Sequence, residues 1–349
     1  MMPTDARSDL ASAQDSAMRQ RIRTMYAFLV AFNVLVWIWA WLDLRGNGAL
    51  LGTALLAYSF GLRHALDADH IAAIDNVTRK LMQHGGRPVA VGFCFAIGHS
   101  LVVIVAAIAI AFAARSVLPS LPQWQAYGGV LSSIVSTLFL LAIGLLNIAL
   151  LIEICRSARH VQANEAAAIA PMKGNALARM FKPLFGGIAH SWQMIPLGFL
   201  FGLGFETATE VALLSTTAVQ ATQGVHMETV LLFPMLFAAG MLTLDATDGV
   251  LMLRVYGAAF VSPLRKLAYN MMLTMTSTLL ALTIAAIGVA GLLQAYFHPS
   301  GAFWHAMDSL RDSYTSLGYV IVGAFILSWI GAEGFYRLKA RNAMRATAT

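Results

Sequence analysis

Charge is scarce in this sequence: only 11% of its 349 residues are Asp, Glu, Lys or Arg, less than half the ~25% usual in soluble domains. A chain that is 58% hydrophobic would expose large sticky patches if it were water-soluble. An ordinary soluble globule is therefore excluded, and little sequence is left for a separate soluble domain. Cysteine is nearly absent too. Cys94 and Cys155 both lie in apolar runs, so no disulfide framework exists, and two thiols are too few for a cluster site. No G-x4-G-K-[ST] loop occurs, which excludes a P-loop ATPase. H-E-x-x-H is missing, and with it the signature of an intramembrane zinc protease. No His-rich or acidic tract marks a metal-buffering loop.

What the chain does have is long apolar runs. About 20 such residues span a bilayer. Eight candidates follow in order: 25–43, 49–75, 89–114, 127–155, 184–217, 229–259, 268–297 and 315–336. The first is longer than a signal-peptide core, and no A-x-A-like cleavage site closes it, so it is read as an uncleaved span. The expected fold class is all-α: a polytopic membrane protein of eight transmembrane helices. Residues 1–24 form an N-terminal segment, 25–336 the transmembrane domain with a linker at about 156–183, and 337–349 a tail.

The net charge of +6 does not imply a nucleic-acid partner, because the Lys and Arg residues sit between apolar runs. They report topology instead. With the N-terminus in the cytoplasm, nineteen of the 23 fall on the cytoplasmic side, counting Arg79, Lys80 and Arg87 after the second span. Only Arg45, Arg115 and Arg311 fall outside, and Arg63 lies within the second span. Both termini are thus expected in the cytoplasm, and the lipid bilayer is the expected environment. Trp37, Trp39 and Trp41 read as interface anchors at the outer end of the first span.

A weak internal echo is present. Phe60-Gly61-Leu62 recurs as Phe201-Gly202-Leu203, and Gly98-His99 as Gly240-Met241. Under this topology the matched spans run in opposite directions, the arrangement of an inverted repeat around a midplane site.

The polar residues inside the spans carry the chemistry. Asp67, Asp69, Glu206, Glu210, Asp245 and Asp248 lie in apolar runs, Asp75 lies near the end of one, and Arg63 is the only permanent cation among them. Imidazoles such as His64, His70, His99 and His190 are neutral at their ordinary pKa. The interior is short of positive charge, so protons or a bound cation must balance it. One such pair could be a structural ion pair, but so many in four spans mark an ion pathway. His190, a lone imidazole, reads as packing or interface.

At 100° per residue, His64, Asp67 and His70 share one helical face, with Arg63 placed to pair with Asp67. Asp69 points nearly the other way. A straight helix cannot aim all of these at one ion, so a distortion is expected near Asp67–Asp69. Imidazole with carboxylate suits Zn, Cu, Fe, Ni or Co, and the lack of thiols disfavours Cu(I).

The stretch Arg63-His64-Ala65-Leu66-Asp67-Ala68-Asp69-His70-Ile71 resembles the H-x4-D-H signature of the nickel/cobalt transporter (NiCoT) family. Three further blocks match in order: Phe95-Ala96-Ile97-Gly98-His99-Ser100, Leu203-Gly204-Phe205-Glu206-Thr207-Ala208-Thr209-Glu210, and Gly240-Met241 through Asp245-Ala246-Thr247-Asp248. The run Ile74-Asp75-Asn76-Val77-Thr78-Arg79-Lys80 continues the first. Glu206 stands where the family has Asp, and Ala246 where it has Thr.

The resemblance implies uptake of nickel(II), and also cobalt(II), across the bacterial cytoplasmic membrane, closest to the high-affinity nickel permeases. The metal is then substrate, with no prosthetic group, and no ATPase subunit is required. His64, Asp67, Asp69, His70 and His99 are the expected metal ligands or their immediate supports. Arg63, Asp75, Asn76, Glu206, Glu210, Asp245 and Asp248 are expected to line the path or balance charge. The rivals are a di-iron desaturase-like membrane enzyme, which would want His boxes outside the spans, and efflux by the same fold. Nothing in the sequence specifies an oligomeric state.

Overall fold

The computed structural model describes residues 4–83, 85–117, 121–163, 188–203, 227–258 and 263–312, together with Val320 and Gly323. Among these, every regular element is a helix. In order they are α1 (Thr4–Leu44), α2 (Gly48–His64), α3 (Ala68–Gln83), α4 (Val91–Val117), α5 (Leu121–Ala163), α6 (Met194–Gly202), α7 (Met227–Ala258), α8 (Pro263–Phe297) and α9 (Ala302–Asp312). A single 3-10 turn, Ser191–Gln193, precedes α6.

Among the described residues, five helices are long and apolar enough to cross a membrane: Asp15–Leu44, Val91–Ile108, Tyr127–Ala149, Leu231–Arg254 and Thr274–Phe297. They correspond to the first, third, fourth, sixth and seventh predicted spans. The second predicted span, 49–75, is two helices, α2 and α3, of 17 and 16 residues. Of the fifth, 188–203 are described, including α6; the rest of it, and nearly all of the eighth, lie outside the described residues. The predicted linker begins inside α5, which stays helical to Ala163.

α7 is the organising helix. It packs against α1, α2, α3 and α4, and its span is 72% buried, against 22% for the span in α1. Its Leu232, Phe233, Leu236, Phe237 and Met241 are fully buried. α5 and α8 pair with each other, and both reach α3. The outward faces of α1, α2 and α5 stay apolar, with Leu35, Leu55 and Leu138 more than half exposed, as lipid contact demands. Of the three expected tryptophan anchors only Trp41 is exposed; Trp37 meets Tyr58 edge-on with ring centres 5.4 Å apart, and Trp39 packs on the core.

Two helix crossings are built alike. Where α2 crosses α7, a Cβ on Gly61 would lie 2.0 Å from the Phe237 carbonyl oxygen, and one on Gly240 2.5 Å from that of Tyr58. Where α4 crosses α6, a Cβ on Gly198 would lie 2.0 Å from the Phe95 carbonyl oxygen, and one on Gly98 1.9 Å from that of Ile195. In each case a glycine rests on the carbonyl three residues before the partner's glycine. Small residues let backbones approach this closely in a bilayer.

Candidate metal centre

The distortion expected near Asp67–Asp69 is a complete break. Leu66 N–H donates to the Arg63 carbonyl and Asp67 N–H to the His64 carbonyl, both at 3.0 Å. These tight three-residue steps end α2, and α3 begins at Ala68. Asp67, a residue type favoured just before a helix start, stands at the break. The break points the carbonyl end of α2, the negative end of its dipole, toward the imidazoles. The positive start of α3 is offset by Asp67 just before it and Asp69 in its first turn.

Three imidazoles converge there. One ring nitrogen from each of His64, His70 and His99 lies within 4.8 Å of the others. His64 Nε2 and His99 Nε2 are 3.0 Å apart. The His70 ring centre is 4.7 Å from those of both His64 and His99. His70 and His99 are 1% and 4% exposed, and Phe95 stacks edge-on against His70 at 4.9 Å. The cluster therefore joins the end of α2, the start of α3 and the middle of α4.

Carboxylates orient the rings from behind. Asp67 Oδ2 sits 2.9 Å from His64 Nδ1, and Asp245 Oδ2 from α7 sits 3.4 Å from His70 Nδ1. A carboxylate on one ring nitrogen fixes the tautomer and presents the other nitrogen's lone pair, the usual arrangement behind metal-binding histidines. Asp245 is fully buried and its Oδ1 has no hydrogen-bond partner among the described residues; the same holds for His99 Nδ1. A largely buried set of nitrogen donors backed by carboxylates fits a late first-row divalent ion better than Mg or Ca.

The other predicted residues fall around this core. Asp69 stands outside the three-imidazole group, and its Oδ1 accepts from the His70 backbone N–H at 2.9 Å. Asp248 is partly buried, with Oδ2 unpartnered among the described residues, and lies within electrostatic reach of Asp75 and Asp245. Asp75 is fully buried and accepts from Ser277 Oγ at 2.7 Å. Glu206 and Glu210 lie outside the described residues. Arg63 is exposed and forms no ion pair among the described residues, so the expected Arg63–Asp67 pairing is replaced by His64–Asp67. Among the described residues the buried guanidinium is instead Arg79, only 3% exposed, which the charge pattern places in a cytoplasmic segment. It donates to Asn76, to Thr274 and to Asn147. Asn147 is a lone amide in an apolar run, a pattern that by itself carries no signal of a buried partner.

A helical chain with several membrane-length apolar helices is a multi-pass membrane protein. A family model described as a high-affinity nickel-transport protein matches residues 50–334, and the chain belongs to that family. A high-affinity nickel transport protein of Cupriavidus necator is 44% identical over 326 residues, 92% of this chain and 93% of that protein. The high-affinity nickel-transport protein NixA of Helicobacter pylori is 40% identical over 313 residues, 86% of this chain and 92% of that one. The cobalt transport protein NhlF of Rhodococcus rhodochrous is 38% identical over 340 residues, 93% and 94% of the two chains. No solved structure matches.

Proposed function

We propose that this protein is a permease that takes up nickel(II), and also cobalt(II), across the bacterial cytoplasmic membrane, with both termini inside and eight spans. The observation that carries the reading is the convergence of His64, His70 and His99 at the α2–α3 break. The names of the nickel and cobalt relatives supply the ion. His64, His70 and His99 hold the ion, Asp67 and Asp245 orient His64 and His70, and Asp69 receives the ion's charge at the edge of the site. Asp75 and Asp248 carry the charge balance toward the cytoplasm, and Glu206 and Glu210 line the ion's path or balance its charge.

The matched glycine crossings support an inverted repeat, with α2 and α7 exchanging roles with α6 and α4. No chemical fuel is needed. Each elementary charge falling through 100 mV gains about 2.3 kcal/mol, so a divalent ion gains about 4.6 kcal/mol, roughly a thousandfold accumulation. The desaturase-like alternative is set aside because the family transports metal and the imidazoles lie within the helix bundle.

The test is uptake of radioactive nickel at trace concentration by cells producing point variants at matched membrane levels. His64→Ala and His70→Ala cells should accumulate no more than cells lacking the protein. Accumulation at the unaltered rate would refute the site.

A further inference from the structure

Asp75 and Arg79 are one helical turn apart on α3 and lie on the same face. Both face α8 by matching rungs: Ser277 donates to Asp75 at 2.7 Å, and Arg79 donates to Thr274 at 3.2 Å. Arg79 also reaches across to Asn147 on α5. Asn147 Nδ2 donates to Asn76 Oδ1 at 2.7 Å, and Arg79 Nη2 donates to the same oxygen at 3.4 Å. Arg79, Asn76 and Asn147 are each less than 5% exposed. One guanidinium thus fastens three helices at the end of α3 remote from the imidazoles.

We propose that Arg79 is the inner bolt of the transport cycle. Fastened to Asn147 and Thr274, it holds α3, α5 and α8 together and closes the route from the histidine cluster to the cytoplasm. Its charge also keeps a divalent ion from slipping past while the bolt is shut. The proposal rests on the permease reading and on the orientation given with it. A planar fork with five donors can hold two partners on different helices at once, which an ammonium cannot do with the same geometry. Release requires the guanidinium to leave both, so opening is an all-or-none step and not a gradual loosening. Arg79 touches no metal ligand, so it acts by positioning the helices.

A thiol reporter reads the bolt directly. Cys94 and Cys155 are replaced by Ala, and Thr278→Cys is introduced on α8, one turn from Thr274 and 7% exposed. In inverted vesicles a membrane-impermeant maleimide should label this reporter slowly. Adding Arg79→Met or Asn147→Ala should speed labelling at least about tenfold, the equivalent of losing one hydrogen bond to a charged group. Nickel affinity of the purified protein, measured by equilibrium dialysis, should stay within about threefold, while trace-nickel uptake falls about tenfold because the outward-facing state is depopulated. Labelling within twofold of the parent, or nickel affinity falling in step with uptake, would overturn the proposal. If the parent chain neither binds nor carries nickel, the permease reading fails, while the labelling comparison still judges the bolt.

Discussion

His64 Nε2 and His99 Nε2 lie 3.0 Å apart although 35 residues separate them and they stand on different helices. Two imidazole nitrogens that close either share a proton or share a cation. A cation about 2.1 Å from each would see them about 90° apart, the angle of a square-planar or octahedral centre and not of a tetrahedral one. Nickel(II) accepts that angle, whereas structural zinc prefers tetrahedral surroundings. In competition assays, an excess of about tenfold cobalt(II) should suppress nickel uptake strongly, and zinc at the same excess should leave most of it. Equal suppression by zinc would contradict the geometry.

The carboxylates behind the rings should act on affinity rather than on folding. Asp67→Asn and Asp245→Asn leave a polar group of the same size but remove the charge that makes each imidazole a better donor. Loss of such a partner typically costs 10–100-fold in metal affinity. Nickel titration of the purified variants should show a fall of about that size, with Asp69→Asn affected less. A larger effect at Asp69 than at Asp67 would reassign the first contact to Asp69.

Gly98 precedes His99 and is pressed against the Ile195 carbonyl. Gly98→Ala puts a methyl where backbone already is, and overpacking of this kind costs about 1–3 kcal/mol or more. The variant should melt lower in detergent and lose nickel binding with it. Gly52, with nothing within 4 Å, is the control: Gly52→Ala should fold and transport as the unaltered protein does.

The ion pair of Arg87 with Asp15 links the start of the α1 span to the α3–α4 connection, but its partners are 35% and 48% exposed. Exposed pairs contribute about 0–1 kcal/mol. Arg87→Ala should therefore shift thermal stability slightly and leave uptake kinetics unchanged at moderate salt. A large loss of either would mean that the link holds more than its exposure suggests.

The helix break was legible because turn geometry forbade a straight helix from serving His64, Asp69 and His70 together. The three imidazoles were each visible in an apolar run. Arg79 and Asn147 were not, and the reason is physical. A cation just past an apolar run reads as solvated unless a partner is known, and its partners lie 68 and 195 residues away. Arg63, in mid-run, drew attention as the interior cation, yet its long side chain reaches the surface. Apolar runs report length; they do not report which end of a long side chain is buried.

The two glycine crossings have a mechanical consequence. Most helix pairs lock by side chains set into the grooves of the neighbour, and sliding means lifting each one out. Here the closest contacts are backbone on backbone, with no projecting group to lift at Gly61, Gly240, Gly98 or Gly198. Such joints resist swelling but offer little resistance to shear. Both lie beside the histidines, Gly61 three residues before His64 and Gly98 next to His99.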